Sequence, residues 1–215
     1  MNLTVQPELT LSAICERIIQ APLGPHRRLI AISGPPGSGK STTAEHLAGL
    51  LNAQDEKTAV IPMDGFHLDN RLLKEDGNRE KKGAPQTFDA TGFVRLVAAL
   101  QSNEAVIYPL FDRAQDIAIA GAGRVNVDVK TVVIEGNYVL LKNQPWQALS
   151  KHWSLTISLA ISRDVLKKRL IKRWLDQGLT KADAEIRAID NDLRNADFII
   201  INEQFADIKL TKNPK

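Results

Sequence analysis

Along the chain, short apolar runs alternate with longer stretches in which apolar residues recur every three or four positions. The runs lie at 29–33 (LIAIS), 58–62 (TAVIP), 105–109 (AVIYP), 131–135 (TVVIE), 155–161 (LTISLAI) and 198–202 (FIIIN). They are apolar and β-branched nearly throughout instead of alternating, which is the pattern of parallel strands covered on both faces. Helical spacing appears over residues 8–20 through Leu11, Ile14, Cys15, Ile18 and Ile19, and proline and glycine in "APLGPH" end it. Ala44, Leu47, Ala48 and Leu51 give a second buried stripe, and Phe93, Leu96, Val97 and Leu100 a third. Thr180 with Asp183 predicts a capping box, with Ala182, Ile186, Ile189 and Leu193 along one face of the helix it starts. Strand–helix alternation predicts an α/β fold with a mainly parallel sheet. The segment "IAIAGAGRVNVD" (117–128) instead alternates around glycine, and predicts a small antiparallel hairpin inserted at one edge.

Length and composition narrow the class. The 215 residues fit a single domain, 1–215, with 1–27 as an N-terminal helix and linker. At 43% hydrophobic and 25% charged, the chain can bury a sizeable core. No apolar stretch is long enough to span a bilayer, and "MNLTVQPELT" lacks the basic-then-apolar order of a signal peptide. One cysteine, Cys15, cannot form an internal disulfide and reads as a core thiol. A cytoplasmic protein with no membrane partner is expected. A net charge of +3 with 5% aromatic residues gives no footing for nucleic acid, but suits small anionic ligands.

The most specific signal is Gly34-Pro35-Pro36-Gly37-Ser38-Gly39-Lys40-Ser41, a full match to G-x-x-x-x-G-K-[ST]. It follows a strand pattern and opens a helix pattern, which is the context such a loop requires. Glycines let successive backbone N–H groups turn inward, and the helix start adds its own N–H groups and positive dipole end. Residues 34–42, through Thr42, therefore form the candidate phosphate cradle. Lys40 is placed to reach the β- and γ-phosphates, and the Ser41 hydroxyl to ligate Mg²⁺.

Two acids follow strands: Asp64 in "VIPMDGFH" and Glu135 in "VVIEGNY". Functional groups of parallel sheets gather at such strand ends. Phosphoryl transfer to an alcohol needs one carboxylate to orient and deprotonate the attacking oxygen and another to anchor Mg²⁺. Asp64 suits the first task and Glu135 the second. In "YPLFDRAQD", Asp112 and Arg113 either hold substrate hydroxyls or a substrate anion, or pair with each other at the surface. Arg169, Lys172 and Arg173 share a helix face before Gly178. They form either a solvated charged face or a basic lid, over 169–180, that neutralises transition-state charge. His67, beside Asp64, is a further candidate to touch substrate.

In this order, the P-loop, "MDGFH", "KKGAPQTFD" (81–89), "YPLFDR", "VVIEGNYVLL" and "KKRLIKRW" resemble the uridine kinase, phosphoribulokinase and bacterial pantothenate kinase group over about residues 28–202. Within it, the small bacterial nucleoside-kinase-like and fructose-transport-kinase-like members are the most similar. The resemblance implies a P-loop three-layer sandwich with about five parallel strands, and use of ATP with Mg²⁺. It further implies Asp64 as catalytic aspartate, Glu135 as the acid of an "EG" motif, Arg169 and Arg173 as lid arginines, and Phe88 and Asp89 at the acceptor side. A homodimer is compatible with it. "FDRAQDIA" departs from the Tyr-Asp…His…Arg pattern of uridine kinases, which leaves pantothenate-, sugar- and nucleoside-like acceptors open. The competing class is a nucleotide-binding regulatory NTPase without an acceptor. Against it, the sequence holds no N-K-x-D segment, and Asp64 is not needed for binding alone.

Overall fold

The computed structural model describes residues 10–211. The expectations for residues 8 and 9, and for the start of the chain, lie outside those residues. Helix α1 (Leu11–Gln20) is N-capped by Thr10, whose hydroxyl accepts from the Ala13 N–H. Strand β1 (Arg28–Ser33), helix α2 (Lys40–Asn52) and strand β2 (Thr58–Pro62) follow. A 3₁₀ turn (Met63–Phe66), the short helix α3 (Asn70–Glu75), two further 3₁₀ turns (Arg79–Lys81 and Pro85–Thr87) and helix α4 (Ala90–Ala99) lead to strands β3 (Val106–Asp112) and β4 (Ile117–Val125). Strands β5 (Thr131–Gly136) and β6 (Leu155–Ala160), helices α5 (Arg163–Asp176), α6 (Lys181–Arg187) and α7 (Arg194–Asn202), and strand β7 (Ile208–Thr211) follow within the described residues.

The main sheet has the order β2-β5-β1-β6-β7, all parallel. Both faces of the central strand β1 are covered, and that is why it is apolar from Leu29 to Ile32. Leu29 and Ala31 join the core under α4, whereas Ile30 and Ile32 join the core under α1 and α2. Ile14, Cys15 and Ile18 of α1 lie in that second core, and burial raises the Cys15 thiol pKa, as suits an inert core thiol.

Four sequence expectations are corrected. The run 105–109 is not in the main sheet; β3 pairs antiparallel with β4 in a separate two-stranded sheet, with a bulge between Tyr108 and Leu110. The turn of that hairpin is at residues 113–116, not at the glycines, because the Asp112 carboxylate accepts from the Ala114 and Gln115 N–H groups and closes it. The run FIIIN ends α7 and is not a strand; Ile200 and Ile201 are exposed there, and Ile208–Thr211 takes the sheet edge beside β6. Finally, the Thr180–Asp183 cap is present and Leu193 is buried as expected, but Ala182, Ile186 and Ile189 are exposed and Ala184 and Ala188 are buried instead. A π-helical segment, Ala188–Leu193, follows, and its wider turn keeps Ala188 and Leu193, five residues apart, on the buried side.

Candidate active site

Strand β1 delivers the chain to the loop 34–39, and α2 begins at Lys40 without a side-chain cap. Gly37 and Gly39 have φ of 78° and 85°, left-handed values that favour glycine. The uncapped helix start leaves its first N–H groups directed at the cleft, an anion site by backbone geometry and dipole.

The parallel register sets the neighbouring acids. Ile32 pairs with Glu135 and Ser33 with Gly136, so the end of β5 lies beside the loop. The Ser41 hydroxyl donates to Glu135 Oε1 at 2.9 Å. Burial raises the Glu135 pKa, and Lys40 opposes that only in part. On the other side, Pro62 also pairs with Glu135, so the turn after β2 carries Asp64 into the same cleft. Gly65 is required in that turn: a Cβ there would meet the Pro109 carbonyl oxygen at 2.1 Å. The close approach presses the turn against β3 and lets Arg113 donate to Asp64 Oδ2. Burial pushes the Asp64 carboxyl up, but Arg113 and Lys40 prevail and hold its pKa below the ordinary value, so it is ionised. His67 stacks on the Phe88 ring at 4.0 Å, and burial lowers its pKa to about 4, so it is neutral at pH 7.

The glycine loop, Lys40, Ser41, Asp64 and His67 share one cleft of ≈ 380 Å³ with residues from three other places. From the arm after β2 come Arg79 and Lys82; from the hairpin, Phe111, Arg113 and Asp116; from α5 onward, Arg173, Trp174 and Asp192. Asp116 binds Lys82 and Arg79, each at 2.9 Å. The Trp174 indole N–H donates to Asp192 at 2.7 Å, and the Arg187 guanidinium lies over the same ring at 5.0 Å.

The sequence-predicted residues thus separate into two groups. Pro36, Gly37, Gly39, Lys40, Ser41, Thr42, Asp64, His67, Arg113 and Arg173 line the cleft, with Glu135 against Ser41. Arg169 reaches the loop from outside and donates to the Gly37 carbonyl at 3.2 Å, while Lys172 turns away to Asp176. Three expected acceptor-side residues are elsewhere. Phe88 is packed in the core against Tyr138 and Trp146. The Asp89 carboxylate caps α4 through the Gly92 N–H, and Asp112 caps the hairpin turn instead of pairing with Arg113. Both acids sit directly before a turn or helix that needs an acceptor, and that local demand decides their direction. Lys82 and Asp116 were missed, although "KKGAPQTFD" and "YPLFDRAQD" contain them. Trp174 and Asp192 were missed because nothing along the sequence brings α5 and the π-helical segment together.

Comparison with known proteins agrees with this architecture. A model of the phosphoribulokinase / uridine kinase family matches residues 29–207. A candidate uridine kinase of Schizosaccharomyces pombe is 34% identical over 194 residues, 86% of this chain and 83% of the relative. The uncharacterized protein YggC of Escherichia coli K12 is 30% identical over 189 residues, 86% of this chain and 78% of that one. The crystal structure of a candidate fructose transport system kinase from Silicibacter sp. TM1040 is 49% identical with a TM-score of 0.90, covering 94% of this chain and 98% of the other.

Proposed function

We propose that this chain, which belongs to the phosphoribulokinase / uridine kinase family and is a kinase, transfers the γ-phosphoryl group of ATP to a hydroxyl of a small metabolite. The observation that carries the reading is the placement of an ionised, half-buried Asp64 in the same cleft as Lys40 and the glycine loop.

The loop amides and Lys40 hold the phosphate oxygens and balance the charge that spreads over them in the transition state. Asp64 orients the acceptor hydroxyl and takes its proton at the free carboxylate oxygen, while Arg113 keeps the carboxylate ionised until then. Ser41 Oγ and Glu135 are adjacent hard oxygen donors and fit Mg²⁺ beside a phosphate chain; this ion takes few protein ligands and fills its remaining positions with phosphate and water. Bound there, Mg²⁺ supplies charge neutralisation on the transferring group. Arg169 braces the loop through the Gly37 carbonyl, and Arg173 faces the cleft as the lid cation of 169–180, with Gly178 (φ 88°) as its turn. The whole chain acts as one catalytic unit in this reading. The acceptor is pantothenate-, sugar- or nucleoside-like, and self-association as a homodimer is compatible with the same site.

The test is ADP release with and without candidate alcohols. Acceptor-dependent release that Lys40→Ala nearly abolishes, with weaker ATP binding, is expected. Release that ignores every alcohol, or survives Lys40→Ala unchanged, would contradict it.

A further inference from the structure

The apolar run FIIIN closes a helix, and its exposed end has no role inside the chain. Arg194, Phe198 and Ile201 stand at i, i+4 and i+7 and share one face of α7. Arg194 and Phe198 line a second cavity of ≈ 690 Å³, walled by Leu68, Pro85, Phe88, Pro145 and Trp146. Ile201, one turn further along the same face, is 73% exposed. Phe205, just past the helix, is 95% exposed, the most of any large apolar residue among the described ones. Phe205 does not sit on a frayed end. The Gln204 N–H donates to the Leu140 carbonyl at 2.7 Å, and its side-chain amide donates to the Leu141 carbonyl at 3.0 Å. Ala206 packs on the core, and the Asp207 N–H donates to Thr156 Oγ1 at 2.9 Å. Contacts on both sides therefore fix Phe205 in water, and they fix it near Leu141, which lines the cavity.

We propose that α7 and Phe205 form the interface of a symmetric homodimer, in which Phe205 of each copy fills the cavity beside α7 of the other. The chain carries an apolar knob and an apolar hole close together, and the tethered loop keeps the knob out of its own hole. A two-fold axis joins them, because in an isologous pair a patch meets itself and each knob finds the partner's hole. Phe198 and Phe205 are on the order of 10 Å apart along α7, and the axis passes between them, beside Ile201. Phe198, Ile201 and Phe205 together expose on the order of 400 Å², about half of the ~800 Å² per partner that a stable interface buries, and the cavity walls add to it. An aromatic anchor in a partner's pocket is the usual form of an interface hot spot. A small apolar ligand in the cavity would leave Ile201 and Phe205 in water, and an unrelated protein would have to bring a knob of its own; a second copy covers the whole stripe. The partner's ring also sits behind the arm that carries Lys82, since Asn195 lines both this cavity and the cleft. The interface gives the self-association named above a surface, and it stands apart from the kinase reading because its test needs no turnover.

Sedimentation velocity of the full chain from about 1 to about 100 µM should show a monomer–dimer equilibrium. Phe205→Asp should raise the dimer Kd roughly thirtyfold or more, the scale of a lost hot spot. Gln86→Trp, which fills the cavity from its exposed rim, should raise it as well. The first variant lacks the knob and the second lacks the hole, so mixing them rebuilds one intact contact. The mixed dimer should therefore be tighter than the dimer of either variant alone, a rescue that a misfolded variant cannot give. The fluorescent apolar dye 1-anilinonaphthalene-8-sulfonate should bind the emptied cavity of Phe205→Asp and be excluded from the parent dimer. The proposal is overturned if the parent stays monomeric over the whole range, if a dimer survives Phe205→Asp unchanged, or if mixing brings no gain. It is equally overturned if the dye binds the parent dimer and the variant alike, which would assign the cavity to a small apolar ligand.

Discussion

Replacing Arg27 by methionine removes the clamp at the base of the β3–β4 hairpin. Arg27 is 1% exposed, and it donates to five main-chain carbonyls: Leu100, Ser102, Glu104, Asn126 and Val129. Three of these carbonyls precede β3 and two follow β4, so one guanidinium fastens both ends of the hairpin that carries Arg113. Among the described residues it has no carboxylate partner, and burial lowers its pKa. Each such charged hydrogen bond contributes about 1.5–3 kcal/mol, offset by the cost of desolvating the cation. Methionine keeps most of the apolar volume but orphans carbonyls that water can reach only in part. The expected loss is about 3–5 kcal/mol, the range for breaking a buried polar network. For a chain of this size that lowers Tm by roughly 6–20 °C. Urea unfolding and calorimetry of Arg27→Met and Arg27→Lys measure it, and lysine should recover little because it cannot reach five acceptors in a plane. A methionine variant within about 1 kcal/mol of the parent would refute this reasoning.

Two further predictions concern the lid and pH. Arg173→Ala should lower kcat more than nucleotide affinity; wild-type kinetics in steady-state assays would mark α5 as a solvated charged face. His67 has its folded pKa near 4, below the ordinary 6.5. Between those values the unfolded chain binds a proton that the folded chain does not, so this histidine's contribution falls as pH drops from 6.5 to 4 and levels off below. The loss amounts to about 3 kcal/mol and should be absent from His67→Gln; equal urea midpoints against pH for the two proteins would contradict it.

How much was legible follows from where each signal resides. The glycine loop, the strands 29–33, 58–62, 131–135 and 155–161, and Asp64 and Glu135 at strand ends could be read because their cues are local and physically demanding. The run FIIIN misled because β-branched residues also close a helix when packing extends it, and the four-residue edge strand at 208–211 is too short to announce itself. The strand 106–112 misled because being apolar does not distinguish a main-sheet strand from one paired in a hairpin; that hairpin's turn depends on Asp112. Arg27 ended the stretch 1–27 read only as an N-terminal helix and linker, yet its role depends on carbonyls 73 to 102 residues away. Lys82 with Asp116, and Trp174 with Asp192, likewise exist only once separate segments meet.

The central claim is that Asp64 and the glycine loop act on one phosphoryl transfer, and Asp64→Asn tests it most directly through two numbers on the same protein. Calorimetry with Mg·ATP should give an affinity close to the parent's, while acceptor-dependent ADP release falls roughly 10²-fold or more, the scale of a lost general base. Turnover within a few-fold of the parent, or loss of nucleotide affinity in step with turnover, would contradict it.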